Sequence, residues 1–383
     1  MCFKKRLFLK IAAFFYRLLI RMIKYIYKGG FYAMDFKLFE KLSSTPAPCG
    51  REELLRETIL PLIKPLVDEV KTDALGNIIA LKKGKGKFKL MLDAHIDEVS
   101  ARVRYIEESG FLRFVTTGGI DARTLVAQRV KIQTKKHGIL TGIIGSKPAH
   151  YLTSADLAKA ASVDSLFIDT GLDGKTAKEV FAIGDPITLD RAPIEFGKDL
   201  FSAKAIDDRA GVYILLKVME NLPKEHDADI YFTFTTQEEF GLIGCQCAVF
   251  DIKPDVALAV DTTGALDTPG IPVQDYVLRL GQGIGISMVD RTTIANQGVV
   301  DHLVEICQKR KIPHQLRVAS RGSNNGMIMQ RHAGAVAECT LSVPVRYIHS
   351  NVEVANKNDV DAAVALVENF ALECCPSRYT PEI

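Results

Sequence analysis

The sequence of 383 residues contains no tryptophan, and its eight cysteines are scattered along the chain. No set of these cysteines has the spacing of a disulfide framework or of a zinc finger. This distribution excludes a small secreted disulfide-rich protein and is typical of a reducing compartment, so we expect a cytoplasmic location. The length is sufficient for two domains, and the 47% hydrophobic content is that of a globular protein.

The sequence also lacks an uncharged run of the roughly 18 residues that a membrane span requires. The first 33 residues carry eight basic residues and no acidic one, whereas the whole chain has a formal net charge of only +3. The remainder is therefore mildly acidic, which argues against a nucleic-acid partner. Residues 1–33 have two interpretations, a basic amphipathic helix on a membrane surface or an upstream start with the protein proper beginning at Met34. We favour the second, and we expect membrane contact only if the segment is retained.

Hydrophobic periodicity divides the rest of the chain into three segments. Residues 34–99 and 197–383 alternate strand-like and helix-like runs, among them a predicted strand at 273–280. Residues 100–196 consist of short strand-like runs with glycine-rich turns and one predicted helix at 153–161. The predicted fold class is therefore α/β, a sheet with helices on its faces, accompanied by a small β-rich domain.

Acidic and histidine side chains recur where strand-like runs end, and one acid opens a helix. They are His95 and Asp97, Glu238 and Glu239, Asp261, His349, and Asp207 at the helix start. Because binding sites in α/β sheets lie at the carboxyl ends of the strands, we expect these side chains to converge. Two histidines with several carboxylates are a ligand set that suits a two-metal hydrolase.

Charge balance favours two metal ions at such a site. Three carboxylate ligands and one hydroxide balance the charge of two divalent ions, so the cluster can be buried without net charge. The hydroxide would be the nucleophile, because metal binding lowers the pKa of water, and a spare carboxylate would transfer the proton. Of the adjacent Glu238 and Glu239, one can hold a metal while the other faces the bound water. Asp97 shares a face of the extended chain with His95 and can orient that ligand.

Seven short motifs follow one another between Met34 and Ala371. They are AHIDEV at 94–99, GGIDAR at 118–123, IGSKPAH at 144–150, AKAIDDRAG at 203–211, QEEFGLIG at 237–244, AVDTTGALDTPG at 259–270 and PVRYIHSNVEV at 344–354. In order and spacing they resemble the tetrahedral, or TET, aminopeptidases of metallopeptidase family 42. This family includes glutamyl and deblocking aminopeptidases, and some of its members have been labelled endoglucanases.

The resemblance implies a role for each of the expected site residues. The implied metal ligands are His95 and Asp261 for one ion, Glu239 and His349 for the other, and Asp207 as the bridge between them. Glu238 would be the general base, and Asp97 would orient His95. The implied cofactors are two divalent metal ions per subunit, zinc first, with cobalt or manganese as alternatives.

The resemblance also implies an architecture and an activity. The fold would be a phosphorylase/hydrolase-like mixed sheet with helices on both faces, as in co-catalytic di-zinc exopeptidases. Residues 34–99 and 197–383 would form the catalytic domain, and residues 100–196 an inserted PDZ-like dimerisation domain. Family members assemble dimers into tetrahedral dodecamers with active sites facing an interior cavity. The implied function is therefore a metal-dependent aminopeptidase that acts on short peptides and forms a homo-oligomer.

Two alternatives use the same types of residue. A glycoside hydrolase uses paired carboxylates, but it needs no histidine, and this chain has no tryptophan to stack on sugar rings. A related two-metal carboxypeptidase or deacylase would use the same ligands. The chain also departs from the family's pattern at 321–326, where RGSNNG stands in place of a GGTDAG-like stretch. Asn324 and Asn325 there replace an acid and an alanine, a change that bears on side-chain specificity or subunit pairing.

Overall fold

The computed structural model of the protein describes residues 33–153, 162–332 and 334–380. The basic segment predicted at 1–33 lies outside the described residues except for its last position. The helix predicted at 153–161 lies outside them except for its first position. Among the helices that the structure describes, none is long and apolar enough to cross a membrane.

Strands and helices alternate along most of the chain. The strands are β1 (Glu69–Thr72), β2 (Ile78–Lys82), β3 (Lys89–His95), β4 (Ser100–Ile106), β5 (Leu112–Thr117), β6 (Arg129–Thr134), β7 (Gly138–Gly145), β8 (Phe167–Asp169), β9 (Pro186–Leu189), β10 (Ile194–Phe196), β11 (Leu200–Ala203), β12 (Asp229–Thr235), β13 (Val256–Gly264), β14 (Ile284–Val289), β15 (His314–Val318), β16 (Ala337–Val345) and β17 (Glu353–Asn356). The helices are α1 (Phe36–Ser44), α2 (Glu53–Ile63), α3 (Ala122–Leu125), α4 (Gly174–Val180), α5 (Ile206–Asn221), α6 (Ile243–Ile252), α7 (Gln297–Arg310), α8 (Asn325–His332) and α9 (Lys357–Glu373).

An eight-stranded mixed sheet forms the centre of the protein, in the order β1-β2-β12-β3-β13-β16-β14-β15. The four strands β12, β3, β13 and β16 are parallel to one another. These strands are almost entirely buried, which is why their sequences are nearly continuous apolar runs rather than alternating ones. The parallel part of the sheet therefore has one edge at which four strand ends meet.

Helices cover both faces of this sheet. Alternate residues of a strand point to opposite faces, so Leu90 and Leu92 of β3 lie in one core while Met91 lies in the other. The first core is closed by α1, α2, α5, α7 and α9, and the second by α6 and α8. The prediction of a mixed α/β fold with helices on both faces is therefore confirmed.

Six antiparallel strands between Ser100 and Leu189 close a barrel, in the order β4-β5-β8-β7-β6-β9. The barrel has a core of its own, which includes Val103 and Ile132. In the sequence the barrel lies directly after β3, and the small sheet β10-β11-β17 follows it.

The strand predicted at 273–280 is wrong. These residues contain a short 3₁₀ helix at Val273–Asp275, and the strand of this region is β14 at Ile284–Val289. The reason lies in Gly285, where an added Cβ would come within 2.5 Å of Cδ1 of Leu278. The side chain of Leu278, in the loop before β14, packs over Gly285, so the apolar run that suggested a strand covers the neighbouring strand instead.

Candidate active site

The predicted site residues meet at one edge of the sheet because the strands that carry them are neighbours. Strands β12, β3, β13 and β16 lie side by side and run in the same direction, so their carboxyl ends share that edge. Glu238 and Glu239 follow β12, His95 ends β3, Asp261 lies in the last half of β13, and His349 follows β16.

Asp207, the second residue of α5, lies between the two histidines of this edge. Its Oδ1 is 3.3 Å from Nε2 of His95, and its Oδ2 is 3.3 Å from Nε2 of His349. Oε1 of Glu239 is 3.3 Å from Nε2 of His349, and Oδ1 of Asp261 is 4.0 Å from Nε2 of His95. Two groups of donor atoms result, one around each histidine, and Asp207 belongs to both.

The donor atoms fit divalent metal ions. Ligand atoms of His95, Asp207 and Glu239 lie within 4.8 Å of one another. Oε1 of Glu239 is buried and accepts no hydrogen bond from the described residues, which is costly unless a cation binds it. A second group within the same distance contains His95, Asp208 and Asp261. The structure therefore adds Asp208 to the candidates, an acid that the sequence analysis did not select.

Burial and the proximity of several acids determine the pKa values of the carboxyls in the site. Burial, together with the neighbouring Asp207, raises the pKa of Glu239 to about 8 and that of Asp261 to about 7. Burial acts on Asp207 in the same direction, but hydrogen bonds from His349 and His95 outweigh it and hold the pKa of this carboxyl below its usual range. Divalent cations would supply the positive charge that the other acids lack.

Asp97 fixes the turn that carries the two adjacent glutamates. Its Oδ1 accepts a hydrogen bond from the backbone N–H of Glu238 at 2.9 Å, and its Oδ2 accepts one from the N–H of Glu239 at 3.1 Å. Oδ1 of Asp97 also lies 3.4 Å from Nδ1 of His95. The carboxylate thus touches both halves of the site, and an orienting role toward His95 stays a prediction.

Two further residues hold the site in place and were not predicted. Oε1 of Glu353 accepts a hydrogen bond from the N–H of His349 at 2.8 Å, and its Oε2 accepts one from the N–H of Asp207 at 3.0 Å. The carbonyl oxygen of Gly119, in the barrel loop after β5, is 2.8 Å from Nδ1 of His349. This contact places the ring proton on Nδ1 and leaves Nε2 free as a ligand. The nearness of Glu353 to His349 in the sequence is the only hint of either contact.

The site opens into a cleft with a volume of about 700 Å³. The metal-site candidates and Glu238 form one part of its lining. The end of β15 and the loop that follows it, at 317–324, form another part, and Leu266, Tyr276 and Ile348 add apolar surface. This volume lies within the range of small-molecule binding sites.

The two asparagines of the altered motif are buried beside this cleft. Nδ2 of Asn325 donates a hydrogen bond to Oδ2 of Asp93 at 2.7 Å, and Nδ2 of Asn324 donates one to Oδ2 of Asp290 at 3.1 Å. Oδ1 of Asn324 accepts a hydrogen bond from Oγ1 of Thr340 at 2.9 Å. An ionised aspartate could not donate to either carboxylate. The asparagines therefore stabilise two buried acids, Asp93 and Asp290, and not the predicted metal ligands.

Glu338 lies beside this network and leads to a prediction about stability. Its Oε1 accepts a hydrogen bond from Oγ1 of Thr340 at 3.0 Å, and its buried Oε2 has no partner among the described residues. Burial raises the pKa of Glu338 from an ordinary value of 4.5 to about 8, so the fold favours the protonated acid. This stabilisation is complete below the pKa of the unfolded state, 4.5, and is lost as the pH rises through the pKa of the folded state, about 8. Relative to Glu338→Gln, we expect the free energy of unfolding of the wild type to fall by up to about 1.4 kcal/mol per pH unit between these values.

Urea unfolding at several pH values across this range measures the effect. The matched control is Glu225→Gln, because Glu225 is exposed and its replacement should leave the pH dependence of the wild type unchanged. The same pH slope in the wild type and in Glu338→Gln would show that the buried carboxyl does not titrate on unfolding.

Comparisons with known proteins agree on one family. A sequence profile of the M42 glutamyl aminopeptidase family matches residues 76–366. A lysyl aminopeptidase from Pyrococcus furiosus is 33% identical, over 91% of this chain and 100% of its own. The structure of aminopeptidase APDkam598 from the archaeon Desulfurococcus kamchatkensis is 39% identical with a TM-score of 0.85, covering 90% of this chain and 96% of its own. The TET1 peptidase of Pyrococcus horikoshii is 32% identical with a TM-score of 0.80, and the match covers 88% of this chain and 99% of the TET1 chain. That peptidase can assemble into a tetrahedron or a large octahedral shell.

Proposed function

The chain belongs to the M42 glutamyl aminopeptidase family, and on this premise we propose that it is a metal-dependent aminopeptidase that removes N-terminal residues from short peptides. The observation that carries the proposal is the position of Asp207, whose two carboxylate oxygens each face the Nε2 of a different histidine. A carboxylate in this position can bridge two metal ions. In the proposed site His95 and Asp261 would hold one ion, and Glu239 and His349 would hold the other.

Bound divalent ions supply Lewis acidity, which polarises the carbonyl of the peptide bond and lowers the pKa of water. The imidazole and carboxylate donors of this chain suit zinc, cobalt or manganese, and we propose zinc as the resident metal. The charge of the three carboxylate ligands then stabilises the two cations in a buried setting.

Glu238 is the general base in this proposal. Its side chain lines the cleft, and its backbone N–H is held by Asp97. The carboxylate accepts a proton from the attacking water and returns it to the amine nitrogen that leaves when the peptide bond breaks. Glu239 faces His349 instead, so the two adjacent glutamates have separate tasks.

The proposal extends to domains and assembly. Residues 34–99 and 197–383 form the catalytic domain, and residues 100–196 form a dimerisation domain. The separate core of the barrel supports this division, and so do large apolar side chains that the barrel exposes, including Tyr105 and Ile143. Since the similar TET1 peptidase assembles into closed shells, the proposed state of this chain is a homo-oligomer built from dimers.

Hydrolysis of aminoacyl p-nitroanilides and short peptides by the full-length protein tests the proposed function. We expect release of the N-terminal residue, loss of activity with a chelator, and recovery with added zinc, cobalt or manganese. N-acetylated peptides are the control, because a blocked amine should not be cut. Cleavage of acylated amines or of the C-terminal residue would instead support a deacylase or carboxypeptidase. Cleavage of polysaccharide that survives chelation would support a glycoside hydrolase.

A further inference from the structure

Arg317 is a buried cation in the wall of the cleft, and the mechanism above does not use it. Its side chain is only 4% exposed and lines the same cleft as the metal-site candidates. Nη1 donates a hydrogen bond to Oγ of Ser287 at 3.0 Å, whereas Nε is buried without an acceptor among the described residues. A guanidinium stays charged at all ordinary pH values. The cleft therefore has a permanent positive charge in its wall.

The protein offsets this charge only in part. The ion-pair partner of Arg317 is Asp290, whose Oδ2 is 3.7 Å from Nη1, which is longer than a hydrogen bond. The oxygens of Asp290 are already engaged, Oδ1 by the N–H of Thr293 at 2.9 Å and Oδ2 by Nδ2 of Asn324 at 3.1 Å. A buried charge without a well-aligned partner is costly, so Arg317 has capacity for a second carboxylate.

Space beside the guanidinium is preserved by a glycine. At Gly322, which has φ +88°, an added Cβ would lie 3.4 Å from Nη2 of Arg317. Residues 318–323 of the same loop line the cleft, and Arg321 is an exposed cation among them. The cleft therefore has two arginines in its lining, the buried Arg317 and the exposed Arg321.

We propose that Arg317 binds a carboxylate of the peptide substrate, an inference that rests on the aminopeptidase function proposed above. A carboxylate matches the planar edge of a guanidinium and accepts two hydrogen bonds from it. A short peptide offers such a group in two places, the side chain of an N-terminal glutamate or aspartate and the C-terminus. Family membership does not select the side chain, because the family is described as glutamyl and a similar relative is a lysyl enzyme.

Two matched pairs of substrates separate these sources, with the metal-loaded full-length protein. Glutamyl against glutaminyl p-nitroanilide tests the side chain, because an anilide has no C-terminal carboxylate. Alanyl-alanine against its amide tests the C-terminus. We expect the charged member of one pair to have a kcat/KM about 10- to 100-fold higher than its neutral partner. Arg317→Gln should abolish this ratio, and Arg317→Lys should keep part of it.

Arg310→Gln is the matched control, because this exposed arginine pairs with Glu373 on the surface and should keep the wild-type ratio. Each ratio is measured within one preparation, so partial unfolding of a variant leaves it unchanged. If Arg317→Gln does not fold, the kcat/KM ratios of the wild type and of Arg317→Lys test the inference instead. Hydrolysis of neutral substrates with no preference in either pair, or a full ratio in Arg317→Gln, overturns the inference and leaves the aminopeptidase intact.

Failure of the proposed function gives a different result, namely no hydrolysis of any aminoacyl substrate. Calorimetric titration of the wild type with free glutamate and with glutamine then tests the carboxylate site directly. Both amino acids carry an α-carboxylate and glutamate carries a second one, so binding of either that Arg317→Gln removes supports the site. Affinities that Arg317→Gln leaves unchanged overturn it.

Discussion

Replacement of Glu238 by glutamine is expected to lower kcat by ~10²- to 10⁴-fold while both metal ions stay bound. Glutamine has the same shape and keeps the backbone N–H that Asp97 accepts. Its amide, however, cannot take a proton from the attacking water, so only the chemical step is lost. Steady-state kinetics and the metal content of the purified variant measure the two properties separately.

The neighbouring Glu239→Gln is the comparator for this experiment. The side chain of Glu239 faces Nε2 of His349, so this variant is expected to lose metal together with activity. Loss of metal from Glu238→Gln as well would make Glu238 a ligand rather than a base. A wild-type kcat in Glu238→Gln would place the base elsewhere in the cleft.

Asp207→Asn has the second large expected effect, weaker binding of both metal ions rather than of one. Each oxygen of Asp207 faces a different histidine, and asparagine offers one oxygen together with an NH₂ group that repels a cation. Residues that only support ligands change metal affinity by roughly 10- to 100-fold, so loss of the shared ligand should exceed ~100-fold. Titration of the metal-free protein with zinc by calorimetry measures both sites.

Asp208→Asn is the matched control, because the two aspartates are adjacent and both are buried. Oδ1 of Asp208 accepts a hydrogen bond from the N–H of Gly211 at 2.8 Å, which ties this carboxyl to the helix. We expect this variant to weaken at most one ion, because among the described residues the ligand atoms of Asp208 group with those of His95 and Asp261 alone. If Asp208→Asn lost both ions and Asp207→Asn kept them, the bridging role would belong to Asp208.

The main features of the site could be predicted from the sequence because parallel strands place their ends at one edge. His95 pairs with Thr235, so β3 and β12 end together and bring the following Glu239 close to the histidine. Asp261 lies on the next strand of the same sheet. An acid or a histidine directly after an apolar run was therefore sufficient to locate each of these side chains.

The parts that could not be predicted depend on contacts to backbone atoms or on close packing. Glu353 accepts hydrogen bonds from two backbone N–H groups, and Gly119 contributes only a carbonyl oxygen, so neither contact has a residue pattern. The strand β14 was missed because glycine is rare in strands, and Gly285 is tolerated there only because Leu278 packs over it. The sequence shows that Arg317 is charged, but only the structure shows that its side chain is buried and how far it lies from Asp290.

The parallel pairing of the sheet also has a consequence for how the chain folds. The contact between His95 and Thr235 closes a long loop that contains the whole barrel, and the pairing of Asp261 with Ser342 closes another. The entropy of loop closure must be overcome before such contacts form, so sheets of this kind fold slowly. The donor atoms around Asp207 come together only when these pairings are complete. Uptake of metal during refolding is therefore expected to follow these long-range pairings rather than to precede them.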